Sequence, residues 1–423
     1  MSELLNSTEI DLIDTNGFVG VLAADYKQKA SKVLDTIQFP TTRTEAWKYT
    51  RLGKISNKKF TIQKGTISDI SNYKISKEAY TIVLVNGMMD TSLSSKILPD
   101  GVICTSIKEA ISNDKFNSLL GKNLNLENEI FHSINTQNAT DGSFIVIKEK
   151  TTLEKSIQLI HILTGERTIS NVRNIIISEK SSQAHIVQSF FSENANESFT
   201  NGVTEIFVEE NAHLSFDKIQ FEEDTCFHIS TEQVEQAKNS TFTINTITLN
   251  GGLVRNNLNI EVKGQNCCTN LNGAYLLKGN QHVDNHTMVD HLAPKCESHE
   301  LYKGVVNDKS TAVFNGKVFV RKDSQKINAF QSNANVLLSD EATINSKPEL
   351  EIYADDVKCS HGSTTGQLNE EAVFYLRARG LSEKSARKLI ISAFIDEVIK
   401  KIDNDEVKVF VFGLLHKRFD WEI

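Results

Sequence analysis

Cysteine is scarce, and its spacing matches no ligand motif. The six present (Cys104, Cys226, Cys267, Cys268, Cys296 and Cys359) are scattered and form no CxxC pair, which argues against a disulfide framework and against a structural zinc ribbon. Long apolar runs are missing too. Val409 to Leu415, one of the longest, is interrupted by Gly413 and falls far short of the roughly 20 residues that span a bilayer. The opening Met1-Ser2-Glu3-Leu4-Leu5-Asn6 shows no basic region followed by an apolar one, so the expected location is the cytoplasm. Positive charge is not in excess: 46 Lys and Arg stand against 54 Asp and Glu, a formal net charge of −8, which argues against a general nucleic-acid binder. No GxxxxGK(S/T) phosphate loop, no GxGxxG after a strand, no GxSxG elbow and no HExxH helix occurs, so energy or redox chemistry has to come from partners.

What is present fits a folded protein of 423 residues, 39% hydrophobic and 24% charged, too long for one ordinary compact core unless part of it is elongated. From Gly17 to about Gln38, Phe18, Leu22, Ala23, Tyr26, Ala30, Val33, Leu34 and Ile37 recur at three- and four-residue steps before Pro40, which predicts an amphipathic helix. The next stretch carries Arg43, Lys48, Arg51, Lys54, Lys58 and Lys59 against Glu45. It reads either as a solvated face or as a patch for phosphate or an acidic partner. From about Thr81 short β-rich runs take over, including Thr81–Val85, Phe144–Ile147, Ile157–Ile162, Asn174–Ile177, Glu205–Val208, Thr241–Leu249, Leu258–Val262, Ala274–Leu277, Thr311–Val320 and Glu349–Tyr353. Asn86-Gly87, Asn201-Gly202 and Asn250-Gly251 are candidate turns.

So large a β block exceeds a sandwich. A parallel β-solenoid, whose rungs bury inward residues on one another while the repeat length wanders, fits it better. The tail returns to helix, with Asn369 as N-cap before Glu370 and Glu371, Gly380 as stop, and Ser382 capping a second helix that is apolar on almost every side from Leu389 to Ile402. This pair is expected either to close over the solenoid end or to add a docking surface for a partner protein.

Two polar clusters are candidates for chemistry. His282, His286, His291, Cys296 and His299 fall within 18 residues, where the overall frequency of 11 His and 6 Cys would place about 0.7. Metal binding accounts for such a density, and so do histidines that satisfy buried groups of a solenoid. The second cluster is Asp355-Asp356-Val357-Lys358-Cys359-Ser360-His361-Gly362, directly after a strand. Residues two apart in extended chain share a face, so the Cys359 thiolate and the His361 imidazole can point at one ion, although a lone Cys-x-His is by itself a weak signal. Sulfur with imidazole suits iron, zinc or an iron–sulfur cluster better than magnesium or calcium. Two ligands do not close a site, and the others come from elsewhere in the chain or from a second subunit. Cys267 and Cys268, being adjacent, point to opposite faces of a strand and make a poor pair.

Several segments match a known pattern: Arg43-Thr44-Glu45-Ala46-Trp47-Lys48-Tyr49-Thr50-Arg51-Leu52, then His286-Thr287, His291, Pro294, Glu300-Leu301-Tyr302-Lys303-Gly304-Val305 and Ala312-Val313-Phe314-Asn315-Gly316-Lys317. The most specific are the run from Lys347-Pro348-Glu349 to Cys359-Ser360-His361-Gly362 and Phe374-Tyr375-Leu376-Arg377-Ala378-Arg379-Gly380. In these the chain resembles the SufB/SufD family of iron–sulfur cluster assembly proteins, and its SufD branch in particular. Members of the SufB branch carry a longer N-terminal portion and an acid-rich counterpart of the final motif.

The resemblance implies a mainly β fold: a right-handed parallel β-helix core over 81–365, between an N-terminal helical domain (1–80) and a C-terminal helical domain (366–423) that docks an ATPase. It implies a non-catalytic subunit that pairs with SufB through the β-helix; whether the isolated chain forms a homodimer instead is left open by the sequence. The SufC ATPase binds its C-terminal helices, and the chain itself binds no nucleotide. The family's interface cysteine falls on Cys359 and its essential histidine on His361, which makes these the expected metal ligands, for iron or for a transient iron–sulfur cluster shared with SufB. Neither nucleic acid nor a membrane is an expected partner. Two rival readings are a carbohydrate-active enzyme on a β-solenoid, with Asp355 and Asp356 as acid and base, and a stand-alone metal-binding solenoid. Adjacent carboxylates on a strand face opposite ways and serve poorly as a catalytic pair.

Overall fold

The computed structural model describes residues 12–127 and 129–419, so the first eleven residues of the expected 1–80 domain and the last four of the C-terminal one lie outside the described part. The fold is mainly β, 44% strand and 20% helix, and winds through about eight turns of a β-solenoid with helices toward both chain ends. Consecutive strands alternate between two sheets. Phe199–Val208, Phe227–Gln236, Leu253–Val262, His282–His291, Thr311–Val320 and Thr343–Ile352 stack in one; Gln183–Asn196, His213–Phe221, Thr241–Asn250, Cys268–Leu277, Glu297–Val306, Ile327–Leu337 and Val357–Gln367 stack in the other. All of these neighbours pair in parallel. One column of register partners runs Phe199, Phe227, Leu253, His282, Thr311, Thr343, in steps of 26 to 32 residues. The repeat is regular in space and irregular along the chain, which is why no strict period is visible in the sequence.

The returns between sheets reuse one backbone device. Ser181, Asn211, Asn239, Asn266, Lys295 and Lys326 all take φ between 58° and 61° at the start of the strand that follows. Asparagine tolerates that left-handed conformation best among non-glycine residues. The three asparagines also ladder: Asn239 Nδ2 donates to Asn211 Oδ1 and Asn266 Nδ2 to Asn239 Oδ1, both at 3.0 Å. Of the expected Asn-Gly turns, Asn86-Gly87 (φ 50° and 77°) joins the antiparallel strands Tyr80–Val85 and Met88–Asp90. Asn250-Gly251 ends a strand. Asn201-Gly202 does not turn; it lies inside Phe199–Val208, where parallel neighbours on both sides hold the backbone extended.

Apolar inward residues such as Ile186, Phe216, Ile244 and Leu271 from one sheet meet Ile206, Val234, Val254 and Ile260 from the other. The outer faces are covered separately. On the first sheet, Trp47, Leu52, Ile55, Phe60 and Phe131 pack against Phe199, Phe227 and Leu253. The helix expected over Gly17–Gln38 is shorter, Ala24–Leu34. Gly17 takes φ 77°, and a Cβ on Gly20 would come within 2.4 Å of the Gln137 carbonyl oxygen. The chain before Ala24 therefore bends onto the helix Ile130–Asn138, with the Val21 N–H donating to Ala139 O at 3.0 Å.

The C-terminal helices Glu370–Ala378, Glu383–Ile399 and Asp405–Phe419 do not close over the solenoid end. They cover the flank of the second sheet, where Ile391, Ile395, Val398, Val407, Val411 and Leu415 bury Ile160, Phe191, Ile219, Ile247 and Ala274. Lys303 reaches across from this sheet, 4.4 Å over the Phe394 ring, and pairs with Glu397. The expected caps are in place, and the third helix is additional to the expected pair. The solenoid end is left open.

Candidate functional site

At that open end lie the strands Thr343–Ile352 and Val357–Gln367, each the last of its sheet and each hydrogen-bonded to a neighbour on one side only. Cys359 and His361 sit on the second of them, in register with Ala329 and Gln331 of the rung beneath. Ala329, Gln331 and Asn333 are buried while Phe330 and Ser332 between them are exposed, so this alternate set faces inward, and Cys359, His361 and Ser363 continue it. The cysteine and histidine thus share one face, as their spacing requires. Cys359 is half-buried against the core, with Val357 beside it, and His361 is exposed because no further rung covers it. Burial raises the Cys359 thiol above its ordinary value, partly offset by a hydrogen bond with the Ala329 backbone. The group therefore rests as a protonated thiol, and a metal that binds there displaces the proton.

Asp355 and Asp356 lie between the terminal strands in an exposed turn, where the Asp356 N–H donates to Gln325 Oε1 at 2.8 Å. They belong to neither strand, and their placement is that of turn residues.

The dense cluster from His282 to His299 is dispersed by the fold. His282 Nε2 lies 2.8 Å from the Thr50 hydroxyl, and His286 Nε2 is 2.9 Å from Asp284 Oδ1, both on the outer face. His291 points inward to Ser298 Oγ at 3.0 Å. Cys296 Sγ sits 3.4 Å from the Cys267 N–H in a buried corner, and the His299 ring stacks on Phe330. Among the described residues no three His, Cys, Asp or Glu side chains converge to hold a metal ion.

Part of that cluster fastens the N-terminal segment instead. Thr50, fully buried, donates to Asp284 Oδ2 at 2.5 Å, and Arg255 Nη1 donates to the same oxygen and to Ala46 O, both at 2.7 Å. The Arg255 guanidinium lies 3.8 Å over the Trp47 ring. Burial works against an ionised Asp284, but His286 and Arg255 hold its carboxyl well below the usual range. Lys347 Nζ contacts Glu45 at 2.6 Å. The basic stretch is therefore a strap: Trp47 and Thr50 anchor it while Arg43 and Arg51 face solvent.

One feature of the site leaves no local mark in the sequence. Two rungs below the terminal strand lies Glu300, buried, with Oε1 accepting from Thr287 Oγ1 at 2.6 Å and Oε2 from Gln331 Nε2 at 2.7 Å. Burial pushes its carboxyl up to about 7, the two hydrogen bonds opposing. Glu300, Gln331 and His361 are successive register partners, separated by one rung step each. That step is the signal by which they could have been found.

The molecule is thus an open-ended β-solenoid, flanked by helices, with a thiol and an imidazole on the inward face of its uncovered rung. Residues 161–394 match the family model of the SUF system FeS cluster assembly SufBD core domain, and residues 19–159 that of the SufBD protein N-terminal region. The chain belongs to the SufBD family of iron–sulfur cluster assembly proteins. It is 32% identical over 394 residues to an iron–sulfur cluster assembly SufBD family protein of Synechocystis sp., covering 89% of this chain and 86% of that one. To the iron–sulfur cluster assembly protein SufD of Escherichia coli it is 30% identical over 385 residues, with 90% and 89% covered. The chloroplastic protein ABCI7 of Arabidopsis thaliana is 29% identical over 398 residues, with 90% and 83% covered. No helix among the described residues is long and apolar enough to cross a membrane.

Proposed function

We propose that this chain is the SufD-type subunit of a cytoplasmic iron–sulfur cluster assembly complex: a non-catalytic scaffold that pairs with a SufB-type subunit and binds the SufC ATPase. Its division into 1–80, 81–365 and 366–423 separates the strap, the scaffold and the ATPase-docking helices. The observation that carries the reading is the placement of half-buried Cys359 and exposed His361 on one inward face, at an end with two unpaired strand edges. Such edges invite strand addition. A second β-helix set against this end would cover both residues and supply the missing ligands, and iron or a transient cluster would be held there as cargo. In the isolated chain a second copy takes the same place. Phe374, Tyr375, Leu389 and Val409, exposed by 73, 57, 50 and 71% on the flanking helices, support the ATPase contact.

The test is co-purification of the full chain with SufB and SufC, followed by iron and sulfide analysis after anaerobic reconstitution. His361→Ala is expected to leave folding and both partners in place and to abolish cluster assembly. Normal assembly in that variant would remove His361 from the site, and failure to retain either partner would remove the assembly role.

A further inference from the structure

Gln331 carries an unmatched atom. Its Nε2 donates to Glu300 Oε2, which fixes the direction of the amide. Its Oε1 is buried and has no hydrogen-bond partner among the described residues, the residue as a whole being only 3% exposed. A buried carbonyl oxygen without a donor is costly, so each one in a native fold calls for an explanation. The surroundings hold the amide in this pose. Thr287 occupies the other carboxylate oxygen of Glu300, and a Cβ on Gly316 would come within 1.9 Å of Gln331 Nε2, so only glycine leaves room there.

The next layer outward is the terminal strand, where the register partner of Gln331 on the same face is His361. An imidazole that binds a metal through one ring nitrogen needs an acceptor for the N–H on the other, and that acceptor selects the tautomer and aims the ring. We infer that Gln331, oriented by Glu300, is a positioning residue that accepts the ring N–H of His361 and leaves the second ring nitrogen free for metal. The inference rests on the reading of His361 as a ligand and adds two residues to that site.

The experiment uses the metal-free full chain labelled with ¹⁵N-histidine, the His361 signals being assigned by their loss in His361→Ala. Long-range ¹⁵N correlations are expected to show a single tautomer in the wild type. Gln331→Leu should give averaged tautomers, and so should Glu300→Leu, which frees the amide to turn. Glu300→Gln, which keeps an acceptor for Gln331, should retain the wild-type pattern, with circular dichroism confirming the fold in each. Averaged tautomers in the wild type, or a single tautomer that survives Gln331→Leu, would overturn the inference. Titration with Co(II) adds a second readout: Gln331→Leu should weaken binding about tenfold or more, and equal affinity would count against the proposal. Failure of the parent reading shows itself separately, as Co(II) uptake indifferent to His361→Ala.

Discussion

Replacing Glu300 by glutamine should stabilise the protein by an amount that depends on pH. The carboxyl is buried without a cation among the groups that set its ionisation, and its pKa rises from 4.5 to about 7 on folding. The native state therefore holds a proton that the unfolded chain has released between these values, and stability is lost progressively as pH rises from about 4.5 through about 7. At about 1.4 kcal/mol per pKa unit, the cost of keeping Glu300 is about 1 kcal/mol at pH 5 and about 3 kcal/mol at pH 8. Glutamine has the same shape, accepts from Gln331 and carries no charge, so Glu300→Gln removes that cost. Urea denaturation of wild type and variant at the two pH values should show the variant's advantage growing by about 2 kcal/mol from pH 5 to pH 8. A difference that does not change with pH would refute the reasoning, because it would mean that Glu300 is no harder to ionise in the fold than outside it.

Further in, Lys218 Nζ is enclosed by Glu232 Oε1 and Oε2, both at 2.8 Å, Ser230 Oγ at 2.6 Å and Asn256 Oδ1 at 2.9 Å. Lys218→Met strands a buried carboxylate and should cost about 3–5 kcal/mol, whereas Lys218→Met combined with Glu232→Leu should recover most of it; a single-variant loss below about 1 kcal/mol in urea melts would contradict this. On the flanking helices, Phe374→Ala with Tyr375→Ala should leave stability within about 0.5 kcal/mol of wild type, since both rings are already in solvent. The same pair should lower SufC retention about fivefold or more, and undiminished capture would place the docking surface elsewhere.

How much of this was legible follows from the range over which each feature is determined. Helix caps act within three residues: Asn369 Oδ1 accepts from the Ala372 N–H at 2.9 Å and Ser382 Oγ from the Ser385 N–H at 3.1 Å, and both were readable. So were strands with apolar alternation, such as Thr311–Val320. Gln183–Asn196 and Ile327–Leu337 lack that signature, because their inward positions include Gln188, Gln331, Asn333 and Asn335, which read as polar loop. These side chains are tolerated inside because they satisfy one another across rungs: Asn333 Nδ2 donates to Tyr275 Oη and Asn335 Nδ2 to Asn333 Oδ1.

The site divides along the same line. The pairing of Cys359 with His361 is a two-residue relation that any extended chain satisfies, so it was visible at once, while its position at an uncovered end was not. Glu300 and Gln331 join it only through the rung step, 31 residues and then 30, and no local pattern marks them. The density of histidine from His282 to His299 misleads for the converse reason. Neighbours in sequence are sent to opposite faces of a strand and to different sheets, so residues close along a solenoid chain are usually apart in space, and those one rung apart are in contact. In such a fold, a functional residue's partners are to be sought one repeat away before they are sought nearby.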